Sequence, residues 1–333
     1  MKDTTQVTGG FKTASTDPEE AIGDLVTVRD WLRYGVSRFE QARLVYGHGT
    51  SRALDEMAFL LLSALELPID QLEPWLDARL TRSERIGMLD LIERRIATRL
   101  PASYLVNRAW IGDYRFYVDE RVIVPRSFIG ELMLRDRLGA VVGDPDAVTQ
   151  VLDLCTGSGC LAILAALQFP SAKVDAVDVS EPALRVASRN VVDYALEERI
   201  SLVMSDLYSV IGGRRYDLII SNPPYVTTAA VAAFPPEYRA EPEIAHLGGA
   251  DGLDVVRRII DGAADMLTDG GALVVEIGQA RTELEAAYPR LPFLWLDTDG
   301  SDGEVFALQR SDLLAAPGRA NEVRSARGRR RET

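Results

Sequence analysis

Tyr216-Asp217-Leu218-Ile219-Ile220-Ser221-Asn222-Pro223-Pro224-Tyr225 is an apolar run that stops abruptly at four residues of unusual chemistry. Its first six residues predict a buried parallel strand, because such strands are covered on both faces and read as continuous apolar stretches. In open α/β sheets ligands bind in the crevice beyond the carboxyl ends of the strands, so Asn222 to Tyr225 stand where a cleft is expected. Two consecutive prolines fix φ and remove two N–H donors, leaving backbone carbonyls between Asn222 and Tyr225 with no ladder partner. Asn222 adds a side-chain carbonyl, and the result is a rigid array of acceptors suited to a group that presents two N–H donors. For a bare Asn-Pro-Pro the bland alternative is a proline turn closing a strand. The surrounding sequence decides between them.

Upstream, Val151-Leu152-Asp153-Leu154-Cys155-Thr156-Gly157-Ser158-Gly159-Cys160 is a second apolar strand running into a glycine turn, followed by a helix from Leu161 to about Gln168. Gly157 and Gly159 permit a tight turn and close approach of a ligand to the backbone, although the third glycine of the dinucleotide fingerprint is missing. A third strand, Lys173 to Val177, ends in Asp178-Val179, about twenty residues after the turn, where an acidic side chain accepts ribose hydroxyls. A fourth, Ile200 to Met204, ends in Ser205-Asp206-Leu207, which places an acceptor for an exocyclic amine beside an apolar side chain for a ring. Three strand ends thus converge on a nucleoside-shaped pocket, with Asn222 at the next.

Asp153, Gly157, Gly159, Asp178 and Asn222-Pro223-Pro224-Tyr225 together resemble class I S-adenosylmethionine-dependent methyltransferases that act on nitrogen. The Asn-Pro-Pro-Tyr form occurs in adenine-N6 enzymes and in the HemK-like protein glutamine-N5 methyltransferases. Tyr117-Val118-Asp119-Glu120-Arg121-Val122-Ile123-Val124-Pro125-Arg126-Ser127, the N-terminal Tyr46-Gly47-His48-Gly49-Thr50 and the ending Asp299-Gly300-Ser301-Asp302-Gly303-Glu304-Val305-Phe306 are similar to the ribosomal-protein, PrmB-type branch of the latter. The likeness covers residues 24 to 310, with one departure at Phe128, where this branch carries proline. It implies a doubly wound seven-stranded α/β sheet with its last strand antiparallel, a small N-terminal helical domain and a linking β-hairpin. It implies S-adenosylmethionine as cofactor, held by Asp153, Thr156, Gly157, Ser158, Gly159, Asp178, Val179, Asp206, Leu207 and Asn222. It implies a glutamine of a large-subunit ribosomal protein, ribosomal protein three, as substrate, met by Arg126 and by the catalytic residues Asn222, Pro223, Pro224 and Tyr225. The alternatives are the Gly-Gly-Gln loop of peptide chain release factors and, further off, a nucleic-acid adenine.

Composition narrows the choice. The chain has 333 residues and 47% hydrophobic content, enough for two ordinary cores. Met1-Lys2-Asp3-Thr4-Thr5 opens a polar stretch and no apolar run approaches a membrane span, so no membrane partner and a cytoplasmic monomer are expected. The cysteines Cys155 and Cys160 flank the glycine turn and read as small core residues in a reducing compartment. With His48 and His246 the sole histidines, a metal centre is poorly supplied, and none is expected. Net charge is −13; residues 319–333 carry six arginines and two glutamates, a net +4, so the rest stands at −17. An acidic body repels phosphate backbones, which argues against sequence-specific DNA binding and favours a basic ribosomal protein as partner.

The organisation expected is a flexible leader over 1–23, a helical substrate-recognition domain over 24–107, a hairpin linker over 108–126, the methyltransferase domain over 127–310 and a disordered basic tail over 311–333. Helical spacing relates Trp31, Phe39 and Ala42, then Leu54, Met57, Leu61 and Leu65, then Ile86, Leu89, Ile92 and Ile96, with Thr81-Arg82-Ser83-Glu84 as a capping box. Trp110 to Val118, continued by Val122-Ile123-Val124, predicts a hairpin around Gly112-Asp113, with Ser127 capping the helix that follows and Arg126 and Glu131 toward the cleft. Val226 to Gly252 is too long for an ordinary connection and reads as a lid carrying Glu241 and His246, with Asp251 as cap of the next helix.

Overall fold

The computed structural model describes residues 17–298 and 300–315, which fall into two units: the first contains 17–46 and 50–106, the second 47–49 and the chain from Asn107 on. The first unit is helical: α1 (Pro18–Asp24), α2 (Val28–Ala42), α3 (Ala53–Ala64), α4 (Arg82–Thr98) and α5 (Ala102–Val106). Capping boxes start two of them, Thr27 with Asp30 on α2 and Thr81 with Glu84 on α4, each satisfying two otherwise orphaned amides. Trp31, Phe39, Met57, Leu61 and Ile92 are sealed in its core.

The apolar stripes are only partly right. Leu54 and Ile86 are exposed, whereas Glu56 and Arg95 are fully buried and paired at 2.7 Å. Thr50 Oγ1 donates to the same carboxylate, and Arg95 also donates to the Val45 carbonyl. An inward face that carries an ion pair is invisible to a search for apolar periodicity. The flexible leader is shorter than expected as well: α1 begins at Pro18 behind the capping Asp17, and Ala21 and Ile22 are buried, because that one turn has apolar residues to place in the core. Residues 1–16 of the leader lie outside the described residues.

The second unit opens with a two-stranded hairpin, β1 (Ala109–Ile111) and β2 (Tyr114–Phe116), closed at Gly112-Asp113 with Gly112 at φ 55°. The expected continuation of β2 to Val124 does not form. Val118, Val122 and Val124 are buried, but the backbone donors there find side chains of other elements: Tyr117 N–H donates to Asn190 Oδ1 and Val124 N–H to Glu241 Oε1. Those side chains, rather than a neighbouring strand, satisfy the backbone. Ser127 then caps α6 (Phe128–Asp136), its hydroxyl accepting from Ile129 N–H, and α7 (Gly139–Val142) follows.

From there strands and helices alternate: β3 (Gln150–Leu154), α8 (Cys160–Gln168), β4 (Lys173–Asp178), α9 (Glu181–Asp193), β5 (Ile200–Met204), β6 (Tyr216–Ser221), α10 (Thr228–Ala232), α11 (Asp254–Met266), β7 (Leu267–Glu276), α12 (Arg281–Ala287), β8 (Leu294–Thr298), β9 (Ser301–Gln309) and α13 (Arg310–Ala315). The seven strands from β3 onward form one sheet in the order β5-β4-β3-β6-β7-β9-β8, parallel except for β9, which runs antiparallel to both neighbours. Alternate residues feed opposite faces: Leu218 and Ile220 pack with α8, while Ile219 packs with Val256 and Ile259 of α11. That two-sided burial explains the unbroken apolar strands. β7 starts earlier than its apolar core suggests, because Thr268 to Gly271 form a bulge between the Tyr216↔Leu267 and Leu218↔Ala272 pairs. At the other end, ordered structure continues past 310: α13 packs Leu313 against the α11 side of the sheet, and Arg310 donates to the Ala264 carbonyl. The basic tail from 316 on lies outside the described residues.

Candidate active site

Strand order reverses between β3 and β6, and the crevice at such a switch point is where an α/β sheet holds its ligand. Here a cavity of about 330 Å3 opens, and Gly157, Asp178, Val179, Asp206, Leu207, Asn222 and Pro224 all line it. Each comes from a strand end: β3, β4, β5 or β6. The cavity also collects Cys155, Val122 and Ile123, Pro242, Ile244 and Leu247 from the lid, and Val255 and Arg258 from α11.

The glycine turn is built from behind. Asp153 is fully buried, and its Oδ2 accepts from Thr156 Oγ1 at 2.5 Å and from Ala162 N–H at 3.1 Å. Burial pushes its carboxyl up to about 7. Ser158 is buried and its carbonyl is held by Asn190, while a side chain at Gly159 would press on Ala187 of α9 at 3.1 Å. Asp153, Thr156, Ser158 and Gly159 therefore support the turn and do not line the cavity. Gly157 is different: at φ 55° it presents open space where a side chain would be, and that space is the cavity. Asp178 Oδ2 accepts from Gly157 N–H and Oδ1 from Ser180 N–H, each at 2.8 Å. Burial raises its pKa, while these two amides oppose the shift, and both oxygens keep a lone pair for a ligand. Asp206 shares the cavity wall with Arg258 and pairs with it at 2.7 Å.

Cys155 (φ 60°) and Leu207 (φ 49°) sit in the left-handed region, a conformation that side-chain-bearing residues adopt at a cost, and both face the cavity. Burial drives the Cys155 thiol up and pushes Cys160 up to about 12, so both are neutral.

At the end of β6, Asn222 is half-buried on the cavity wall, and among the described residues its side-chain amide has no hydrogen-bond partner. Pro223 is buried and Pro224 lines the cavity. Tyr225 is not part of the lining of this chamber: its hydroxyl donates to Glu276 Oε1 at 3.1 Å, and its ring lies against Gly278. Glu276, at the end of β7, is fully buried, and burial pushes its carboxyl up to about 7.

Arg126 is not on the cavity wall. It forms a two-pronged ion pair with Glu241 of the lid, Nη1 to Oε1 and Nη2 to Oε2, each at 2.8 Å. Glu241 Oε2 also lies 3.1 Å from His246 Nε2 and 3.6 Å from His48 Nε2. Burial is overcome by the two histidines close by and by the Arg126 guanidinium, and the Glu241 carboxyl is held well below the usual carboxylate range. His246 is buried here and meets Phe234 edge-on. Glu131, by contrast, is exposed on α6. Asp251 accepts from Leu253 N–H and pairs with Arg257, so it braces the turn before α11 instead of capping the helix.

Glu276 and the lid residues Ile244 and Leu247 escaped the sequence reading, which placed Glu241 on the lid but did not pair it with Arg126. A carboxylate that closes an apolar strand, as Glu276 does, and apolar residues within a long loop, as at Ile244 and Leu247, are the signals that point to them.

Residues 140–234 match the family model described as Methyltransferase small domain. The chain is 54% identical over 296 residues to the ribosomal protein uL3 glutamine methyltransferase of Bradyrhizobium diazoefficiens, covering 87% of this chain and 93% of that protein. Proteins of the same name are 55% identical in Burkholderia pseudomallei (88% and 97% covered) and 54% identical in Neisseria gonorrhoeae (89% and 98%).

Proposed function

The chain belongs to the ribosomal protein uL3 glutamine methyltransferases, and from that premise we propose that it transfers a methyl group from S-adenosylmethionine to the side-chain amide nitrogen of a glutamine in uL3. The observation that carries the reading is Asn222: an unpartnered amide side chain on a proline-stiffened loop, at the mouth of a nucleoside-sized cavity.

The cavity suits the cofactor. Leu207, Val179 and Ile244 offer apolar walls for a ring, Asp178 keeps lone pairs for two ribose hydroxyls, and the open face of Gly157 lets a ligand approach the backbone. When bound, S-adenosylmethionine supplies an electrophilic methyl group on a cationic sulfonium.

A primary amide nitrogen is a weak nucleophile because its lone pair is delocalised into the carbonyl. Asn222 Oδ1 and the Pro223 carbonyl each accept one amide hydrogen, which orients the nitrogen and favours pyramidalisation. Two prolines keep those acceptors in place without further ordering cost. No strong base is needed beforehand, since the nitrogen becomes acidic only as the new bond forms and its proton then leaves to water. Tyr225 packs on the flat amide, favouring it over a lysine ammonium.

Labelled S-adenosylmethionine, offered with purified uL3 and with a release factor in parallel, tests the assignment. Label in a uL3 glutamine, mapped by peptide mass spectrometry, is expected; label only in the release factor would overturn the choice of substrate.

A further inference from the structure

β6 and β7 are parallel neighbours with Ser221 opposite Val275, so the next residues, Asn222 and Glu276, follow side by side, with Glu276 still paired with Val305 of β9. Glu276 is fully buried and receives three donors: Ser127 Oγ at 2.8 Å and Phe128 N–H at 2.9 Å on Oε2, and the Tyr225 hydroxyl on Oε1. One carboxylate thereby ties together the end of β7, the start of α6 and the Asn-Pro-Pro-Tyr loop. Two residues on, Gly278 brings its backbone so close to the Tyr225 ring that an added Cβ would stand 2.8 Å from Cε2. The ring is held at its tip by Glu276 and along its Cδ2–Cε2 side by Gly278.

We infer that Glu276 is a positioning residue for methyl transfer: it fixes Tyr225, and through Tyr225 the wall against which the substrate amide lies. The inference rests on the glutamine-methylation reading. Among the described residues no cation pairs with Glu276; all three partners are neutral donors. Burying a carboxylate without a counter-charge is costly, and a glutamine would accept from Ser127 and Phe128 as well. What the carboxylate adds is a charged acceptor for the Tyr225 hydroxyl, and hence a narrower range of ring orientations than a neutral acceptor would impose.

The test compares the full-length wild type with Glu276→Gln, Tyr225→Phe and the double variant. It reads single-turnover transfer to a uL3 fragment, the kcat and KM for that fragment, and S-adenosylmethionine binding by calorimetry. Each single change is expected to slow transfer about tenfold or more and to raise KM for the fragment, with cofactor affinity kept within about twofold. The double variant should be no slower than the slower single, because both changes remove the same bond from the Tyr225 hydroxyl to a charged acceptor. Losses that multiply, wild-type transfer by Glu276→Gln, or cofactor binding that falls as far as turnover would each overturn the inference. Should Glu276→Gln fail to fold, Tyr225→Phe decides alone, and wild-type transfer there sinks it. Asn222→Ala separates the two levels: if it transfers normally, the glutamine reading fails, whereas an inactive Asn222→Ala beside an unaffected Glu276→Gln removes only the role of Glu276.

Discussion

Asn222 and Asp178 both line the cavity with opposite preparation: among the described residues Asn222 has no side-chain partner, whereas Asp178 already accepts two backbone amides. Asn222→Ala should therefore spare cofactor binding and cut the transfer rate by roughly a hundredfold, the loss expected when an orienting acceptor is removed from a positioned reactant. Rapid-quench kinetics on a uL3 fragment measures it. Asp178→Ala should weaken S-adenosylmethionine binding by about 1–3 kcal/mol, because two hydroxyls lose a charged acceptor and the Gly157 amide loses its own. Unchanged affinity in calorimetry would remove Asp178 from the ribose. Glu276 adds a dependence on pH. Burial lifts its carboxyl from an ordinary 4.5 to about 7, against Ser127, Tyr225 and Phe128, which lower it, and with Glu304, which raises it. A raised acid favours the folded state below its unfolded value, and that contribution is lost as pH climbs toward 7, by about 3 kcal/mol at most. Glu276→Gln removes the effect, so its melting temperature relative to wild type should rise between pH 4.5 and 8; a flat difference would contradict a buried, titrating Glu276.

Elements show where sequence pattern carries and where it fails. Strands covered on both faces were readable because Leu218 to Ile220 is apolar without interruption and Val151 to Leu154 is broken only by Asp153. The segment 117–124 was not, because its donors end on Asn190 and Glu241, far away in sequence. Nor was the Glu56–Arg95 pair, whose burial follows from three-dimensional proximity and not from any period. Removing one partner leaves the other charge buried alone, so Glu56→Ala should destabilise the first unit by about 3–5 kcal/mol in urea unfolding. In the second unit the 226–252 segment is tied down at Glu241, which accepts from Val124 N–H and Arg126, while its Ile244 and Leu247 line the cavity together with Val122 and Ile123. Glu241→Gln keeps the size but exchanges one acceptor for a donor that faces Arg126. Amide hydrogen exchange across 226–252 should speed up, with looser cofactor binding; exchange at the wild-type rate would mean that apolar packing alone holds the lid. Glu241 has a depressed pKa, so its contribution is present above the ordinary 4.5 and fades as pH falls below it.

At the scale of the whole molecule the doubly wound class was legible from the alternation of strands and helices, and the antiparallel pairing of the last two strands from their closeness in sequence. Charge was legible too, and it bears on the partner. At −13 overall the protein carries a field that attracts a cationic protein and repels free nucleic acid. Attraction of this kind acts mostly on the encounter rate and is screened over about 10 Å at 0.1 M salt. The proposed cofactor site is a recessed cavity whose polar contacts are short-ranged, so the same salt acts on it less. Raising ionic strength from about 0.05 to 0.5 M should therefore increase KM for uL3 several-fold while leaving the S-adenosylmethionine dissociation constant and the single-turnover rate of the bound complex nearly constant. If the KM for uL3 does not move with salt, recognition runs through apolar and hydrogen-bonded contacts, and the acidity of the chain serves solubility rather than the choice of a basic partner.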